Sequence, residues 1–504
     1  MSVKVYSTQV VGLKGVIIEV EVDLAPGLHS FTVVGLPDKA VEEAKDRISA
    51  AIKNSGFISP QKKNQRVTIS LAPADLKKEG PVFDLAIALA YLLASKQLHF
   101  DVEGKLFLGE LALDGTIRPI KGTLSLVKAA KKAGFVEVFV PKKNAKEAAL
   151  IRGIKVFSCS KLADIVAHFK NESKLEEYPE TKIEVNIKED ANKLDFSDIK
   201  GQETAKRGLE IAAAGGHNIL MVGPPGTGKT MLAKAFASIL PLLSFEEILE
   251  VTEIHSVAGT LSEDFMTLRP FRNPHHTSSY VALVGGGNWP RPGEITLSHR
   301  GVLFLDEFPE FERRAIEALR QPLEDGMICI SRARGSLVFP ARFIMVCTTN
   351  PCPCGNMGSK KPCVCSQAAL MRYQRKISGP IIDRIDLWLE VPQVEHEKLS
   401  DDERTGETSK EIQKRVIKAR EIQKRRFSKR NIFTNSEMNV REIKIFANLN
   451  DNVKSILNQA AQRLDLSGRA YHRVIKLSRT IADLEGSQDI AEQHILEALQ
   501  YRPK

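Results

Sequence analysis

No apolar run in this 504-residue chain is long enough to cross a bilayer, and the most apolar window, "VFDLAIALAYLLA" (82–94), carries Asp84 inside it. The opening stretch, "MSVKVYSTQVVGLKG", lacks an apolar core followed by a small-residue cleavage site, so no secretory leader is expected. Internal repeats and low-complexity segments are also missing, which argues against solenoid and disordered classes. These absences predict a cytoplasmic protein whose thiols stay reduced and which does not engage a membrane. What is present is ordinary for a globular chain: 43% hydrophobic and 27% charged residues. The length exceeds what one hydrophobic core holds together, so about two to four domains are expected.

Lys and Arg number 72 against 62 Asp and Glu, a formal net charge of +10. Such an excess suits a polyanionic partner, but it also suits many basic enzymes. Its distribution says more. "QKRVIKAREIQKRRFSKR" (413–430) holds nine Lys or Arg and a single Glu. It reads either as a nucleic-acid surface or as a solvated helix face.

Residues 1–170 alternate β-branched runs such as "GVIIEVEVDL" and "RVTISLAP" with Ala-rich helical patterns. In "DKAVEEAKDRISAAIKNSG", Val41, Ala44, Ile48 and Ile52 recur near a 3.6-residue period, which predicts an amphipathic helix ending near Gly56. The polar stretch 171–196 reads as a linker. Strand and helix alternation resumes over 197–392, and the patterns of 393–504 are nearly all helical. The expected class is α/β, with an N-terminal α+β domain, a P-loop domain built on a parallel sheet, and a C-terminal helical domain.

"NILMVGPPGTGKTMLAKAFA" carries Gly223, Pro224, Pro225, Gly226, Thr227, Gly228, Lys229 and Thr230, an ungapped G-x-x-x-x-G-K-[ST] between an apolar strand and an Ala-rich helix. Glycines at these positions let backbone N–H groups wrap the phosphates of ATP beside the positive end of the following helix. Lys229 is expected to neutralise the outer phosphates and Thr230 to ligate Mg²⁺. "GVLFLDEF" (301–308) reads as a buried strand ending in Asp306, a second Mg²⁺ ligand, and Glu307, a base for water. A third strand, "RFIMVCTTN", ends in Asn350. That residue either orients the attacking water or simply makes the turn before Pro351. Three such strand ends predict ATP hydrolysis.

"NPCPCGNMGSKKPCVC" (350–365) gathers four of the seven cysteines. Cys352 and Cys354, then Cys363 and Cys365 after eight residues, suit a tetrahedral thiolate site for structural Zn²⁺. Free thiols and a redox disulfide are the alternatives. Cys159, Cys329 and Cys347 lie in apolar runs and read as core residues.

Several long strings resemble one family: "DIKGQETAKRGLEIAAAGGHNILMVGPPGTGKTMLA", "RPFRNPHHTSS", "GGGNWPRPGEITLSHRGVLFLDE", "ISGPIIDRIDL" and "LSGRAYHRVIKLSRTIADLEG". They are similar to the magnesium-chelatase-like AAA+ ATPases called ComM or YifB, and the likeness covers nearly the whole chain. The resemblance implies a homo-oligomer, a hexameric ring with ATP sites between neighbours, and DNA branch migration during natural transformation. It makes 197–392 the AAA+ domain, with its cysteine knuckle at 350–365, and 393–504 a helical lid. It makes Arg384 in "IIDRIDL" an arginine finger and Arg469 in "LSGRA" a sensor arginine of the lid. It places an insert near "FRNPHHTSSYVALVGGG" and a hairpin at "MICISRARGSLVFPARF", where Arg332 and Arg334 are candidate contacts to DNA phosphates. His275 and His276 are expected in a loop that moves with nucleotide state, not as metal ligands.

Residues 1–170 resemble the proteolytic domain of Lon in "KKEGPVFDLAIALA" and "LGELALDGTIRPIKGTLSLVKAA". The protease pattern needs a serine after Gly80-Pro81, where this chain has Val82, and Lys121 stands three residues before the catalytic lysine's place. A non-catalytic domain is expected. A DNA-translocating motor leads the functional readings, ahead of a protein-remodelling ATPase and a metal-chelatase motor.

Overall fold

The computed structural model describes residues 2–183, 194–287, 291–332, 335–359, 361–394, 406–430 and 432–503. The chain divides into one unit made of Met1–Val185 and Ser244–Thr267, and a second made of Asn186–Leu243 and Leu268–Lys504. Among the described residues, no helix is long and apolar enough to cross a membrane.

In the first unit, β1 (Val3–Val11), β2 (Lys14–Pro26), β3 (Ser30–Val34) and β4 (Gln65–Ala72) form a sheet in the order β1-β2-β4-β3. Only the β3–β4 pair is parallel. A second sheet, parallel throughout, joins β5 (Lys105–Phe107), β6 (Glu137–Pro141) and β7 (Lys155–Cys159). The amphipathic pattern after Asp38 folds as α1 (Lys39–Asn54), with the Asp38 carboxylate accepting the Val41 N–H at 2.9 Å. The apolar window folds as α2 (Asp84–Ala94), buried from Asp84 through Leu92. Asp84 is tolerated there because Arg47 Nε meets its Oδ2 at 3.0 Å and the Leu111 N–H adds a bond at 3.2 Å. Burial still pushes this carboxyl up to about 7 against the pull of Arg47.

Two expected boundaries differ from those observed. The first half of the linker is not free: the Tyr178 N–H donates to Val156 O at 2.7 Å and the Thr181 N–H to Ala149 O at 3.1 Å. Residues 184–193 lie outside the described residues, and Phe196, at the expected linker's end, is buried in the core of the second unit. Nor is 197–392 one spatial unit. The helix Phe245–Ala258 joins the first unit, against α3 (Thr123–Lys132). Glu253 there takes Lys128 Nζ at 3.0 Å and Ser125 Oγ at 3.2 Å, while Ser256 Oγ donates to buried Glu147 at 2.5 Å. Its apolar residues Ile248, Val251 and Ile254 are buried.

The second unit is built on five parallel strands: β8 (Ile219–Val222), β9 (Phe271–Arg272), β10 (Val302–Leu305), β13 (Ile344–Thr349) and β14 (Leu387–Glu390). The order is β9-β10-β13-β8-β14. Strands buried on both faces need unbroken apolar runs, and "ILMV", "VLFL" and "IMVCTT" supply them. Between β10 and β13 lies a separate ribbon of β11 (Met327–Arg332) and β12 (Gly335–Pro340). Ile328 and Ile330 are buried on one face of it, so Cys329 between them is exposed and is not the core residue expected, unlike Cys159 and Cys347.

The C-terminal helices are not a separate body. Residues of α7 (Ser409–Arg426), α8 (Gly468–Leu484) and α9 (Glu492–Gln500) share one apolar core with the sheet and α4 (Glu203–Gly215): Val416, Ile481 and Ile495 belong to the same buried cluster as Ile219 and Met221. Asp386, just before β14, pins this junction. Its Oδ2 accepts the Asn218 N–H at 3.1 Å and lies 3.4 Å from His217 Nδ1, and Arg473 Nη1 of α8 reaches Oδ1 at 3.2 Å. His217 Nε2 meets Thr480 Oγ1 of α8 at 2.8 Å. Burial alone would raise the carboxyl, but Arg473 and His217 hold it far below the usual range. Such a group stabilises the fold fully above the unfolded pKa of about 4, and the gain is lost as pH falls below it. Asp386→Asn should therefore cost the second unit about 3 kcal/mol at pH 7, with the difference shrinking below pH ~4, as measured by urea unfolding at several pH values.

Candidate nucleotide-binding site

Parallel pairing sets Val222 of β8 beside Thr349 of β13, and Leu305 of β10 beside Cys347. The three strands thus release their chains at one edge. From β8 the chain enters the Gly223–Thr230 loop. A Cβ on Gly223 would lie 2.1 Å from Val391 O, so only glycine fits there. The loop ends at Gly228, whose φ of +87° starts α5 (Lys229–Phe236). Thr227 Oγ1 donates to Pro224 O at 3.0 Å, bracing the turn from within.

Lys229 is buried at the first position of α5. Its Nζ donates to Gly223 O at 2.6 Å, Pro224 O at 2.8 Å and Asn350 Oδ1 at 3.3 Å. Burial lowers its pKa while Asp306 and Glu307 pull it back up. Thr230 Oγ1 donates to Asp306 Oδ2 at 3.1 Å. The other oxygen of Asp306 accepts Thr348 Oγ1 at 2.5 Å, and the same Thr348 oxygen accepts the Glu307 N–H at 3.0 Å. Glu307 adopts φ +53°, uncommon for a residue with a Cβ, and this turns it out of the strand line. His276 Nδ1 lies 3.7 Å from Glu307 Oε2.

The structure brings together Lys229, Thr230, Asp306, Glu307 and Asn350. Thr230 and Asp306 offer two hard oxygens side by side, the donor set that Mg²⁺ takes while keeping most of its waters. The glycine loop, with its buried ammonium, fits a polyphosphate. Thr348 was not legible as a functional residue. The one signal was a Thr-Thr pair in an otherwise apolar strand, and its role depends on a neighbouring strand.

Arg384 and Arg469 are brought to the same carboxylate, that of Glu324. Arg384 is 8% exposed, its Nη2 pairs with Glu324 Oε1, and its Nη1 donates to Pro380 O. Arg469 Nη2 approaches the same Glu324 oxygen at 3.9 Å. Burial lowers the pKa of Arg384, with Glu324 opposing it. Arg332 ends β11, and Arg334 lies outside the described residues. His275 bonds Thr277 Oγ1 at 2.8 Å. Among the described residues, the one group of three or more His, Cys, Asp or Glu side chains close enough together to share a metal ion is the cysteine cluster.

The Sγ atoms of Cys352, Cys354, Cys363 and Cys365 all lie within 4.8 Å of one another. Three of the separations are 3.4 Å (Cys352–Cys354), 3.6 Å (Cys354–Cys363) and 3.7 Å (Cys352–Cys363). A tetrahedral Zn²⁺ with Zn–S near 2.3 Å sets its sulfurs about 3.8 Å apart, so the four thiols fit the ion. Backbone N–H groups of Asn356 and Val364 point at Cys354 and hold its thiol down to about 6, while at Cys363 and Cys365 burial and the neighbouring sulfurs outweigh the backbone N–H bonds and push the thiols up.

The family model described as magnesium chelatase, subunit ChlI, matches residues 195–399. Companion models for subunit ChlI and its C-terminal part match 20–144 and 406–502. The competence protein ComM of Haemophilus influenzae is 45% identical, over 99% of this chain and 97% of that protein. The chain belongs to the ComM/YifB family of magnesium-chelatase-like proteins. YifB of Salmonella typhimurium is 43% identical over 99% of this chain and 96% of its own length. A more distant relative, the magnesium-chelatase 67 kDa subunit of Chlorobaculum tepidum, is 30% identical over 31% of this chain and 23% of its own. Membership in this family, with its α/β fold on a parallel sheet, makes the chain a magnesium-chelatase-like AAA+ ATPase.

Lys229→Ala should abolish binding of a fluorescent ATP analogue. Glu307→Gln should keep that binding and lower steady-state turnover about 10²-fold or more. Thr348→Val, which keeps the shape but frees Asp306 and the Glu307 N–H, should lower turnover about tenfold with binding retained.

Proposed function

We propose that this ComM/YifB family member is a cytoplasmic ring motor. It hydrolyses ATP with Mg²⁺ and moves branch points of DNA recombination intermediates during natural transformation. The observation that carries the hydrolytic part is the convergence of Lys229, Thr230, Asp306, Glu307 and Asn350 at three adjacent strand ends. In that arrangement Lys229 binds the outer phosphates, and Thr230 and Asp306 hold the Mg²⁺. Glu307 takes the proton of the attacking water, and Asn350 orients that water.

Two observations favour DNA as the track. One is the full-length similarity to a protein named for competence. The other is the basic segment 413–430. There Arg415, Arg420 and Arg426 are spent on Glu210, Ala213 O and Asp483 inside the chain. Lys414, Lys418, Lys424, Arg425, Lys429 and Arg430 remain exposed to a polyanion. The β11–β12 hairpin with Arg332 and Arg334 would add phosphate contacts. The N-terminal unit serves as a non-catalytic, Lon-like domain, the C-terminal helices as the lid, and a hexamer supplies the neighbouring subunit. Arg384, assisted by Arg469, reaches that neighbour's nucleotide once Glu324 lets go.

ATP turnover measured with single-stranded, duplex and four-way-junction DNA, alongside displacement of a labelled junction arm, tests this reading. Stimulated turnover with arm displacement, both lost in Lys229→Ala, is expected. Turnover indifferent to every DNA would favour the protein-remodelling reading. Arg384→Ala should lower turnover by about 10³-fold while leaving nucleotide affinity intact, as befits a residue acting across a subunit boundary.

A further inference from the structure

We propose that metal loading of the four-cysteine knuckle sets the protein's affinity for ATP, because the knuckle is a Zn²⁺ site that holds the nucleotide loop in shape. This inference rests on the nucleotide-site reading above and assigns that site a controlling element outside it.

Both ends of the knuckle are tied to the site. At its start, Asn350 Oδ1 accepts from Lys229 Nζ at 3.3 Å. Just past its end, Ser366 caps α6 (Gln367–Gln374), and Tyr373 of that helix meets Thr349 Oγ1 at 3.2 Å. In between, the chain lies on the nucleotide loop itself. Gly355 has φ +78°, and a Cβ placed there would sit 2.9 Å from Pro225 Cδ and 3.2 Å from its Cγ.

The knuckle has little else to hold it. From Pro351 to Cys365, the buried residues among those described are Cys352 and Gly355. The large apolar side chains face outward, with Val364 82% and Met357 40% exposed. One buried position is therefore a thiol of the cluster, and the other is the contact with Pro225. Burial of apolar surface cannot fix such a loop, whereas a tetrahedral metal cross-link can. Turn bonds such as Gly355 N–H to Cys352 O at 3.0 Å and Met357 N–H to Cys352 Sγ at 3.3 Å orient the thiolates but do not close the loop. Zn²⁺ joins both cysteine pairs and presses Gly355 on Pro225. It also holds Asn350 on the lysine that meets phosphate.

The test uses the full chain. Metal content is measured in protein purified without chelators, and binding of a fluorescent ATP analogue with Mg²⁺ is titrated. The metal is then stripped with a mercurial reagent and chelator, and Zn²⁺ or Co²⁺ is added back. One metal per chain is expected, with nucleotide affinity falling at least tenfold on stripping. Recovery should track the thiolate-to-cobalt absorption band. Gly355→Ala separates this from general unfolding: it keeps all four thiols and should keep full metal content, yet weaken nucleotide binding. Absence of metal uptake would overturn the proposal. So would a stripped chain of unchanged helix content that binds nucleotide as tightly as before. If stripping unfolds the chain, Gly355→Ala decides, and wild-type affinity in that variant overturns it. Failure of fully metallated wild type to bind nucleotide would instead overturn the nucleotide-site reading.

Discussion

Everything at the nucleotide site depends on three parallel strands ending side by side. The pairing of β8 with β13, and of β13 with β10, puts the phosphate loop, Thr348–Asn350 and the Asp306–Glu307 pair along one edge. None of these groups is reactive alone. A buried lysine needs oxygens around it, and Asp306 needs hydroxyls on both its oxygens to face one way. A register slip of one residue in β13 would turn Thr348 to the opposite face of the sheet and dismantle both arrangements. The apolar runs that bury these strands are thus also what aims their polar ends.

Part of the charge in this chain is used on itself. The basic segment looks in sequence like an open polyanion surface, yet three of its arginines run inward to Glu210, Ala213 and Asp483. The same holds for Arg384 and Arg469, which meet on Glu324. A guanidinium held by a carboxylate is screened from other anions until that carboxylate is displaced. An arriving triphosphate, carrying more charge than one glutamate, is suited to displace it.

The parts of this fold legible in sequence are those whose signal is local. The glycine spacing of the loop, the acid pair after "VLFL", the period of α1 and the cysteine pairs are each written within about twenty residues. The parts that escaped were written across the chain. Thr348 acquires its role from Asp306, forty-two residues earlier. Glu324 becomes a shared partner only when α8 brings Arg469 near the chain before β14. Cys329 read as core because its neighbours are apolar, but a two-stranded ribbon buries one face only. The stretch after 171 read as a linker because it is polar, although its backbone bonds to Val156 and Ala149 fasten it down. Composition reports what a segment can afford to expose and not which hydrogen bonds it makes.

The helix Phe245–Ala258 belongs to the first unit although its neighbours in sequence belong to the second, so the chain passes between the units at 185–186, 243–244 and 267–268. Neither unit is therefore a contiguous stretch of gene. A fragment cut after Val185 would leave Glu147, Ser125 and Lys128 stripped of their partners. The complementary fragment would carry an orphan helix with nothing to cover it. The two bodies are stitched into one heritable object, and recombination can exchange either one only by taking three junctions at once.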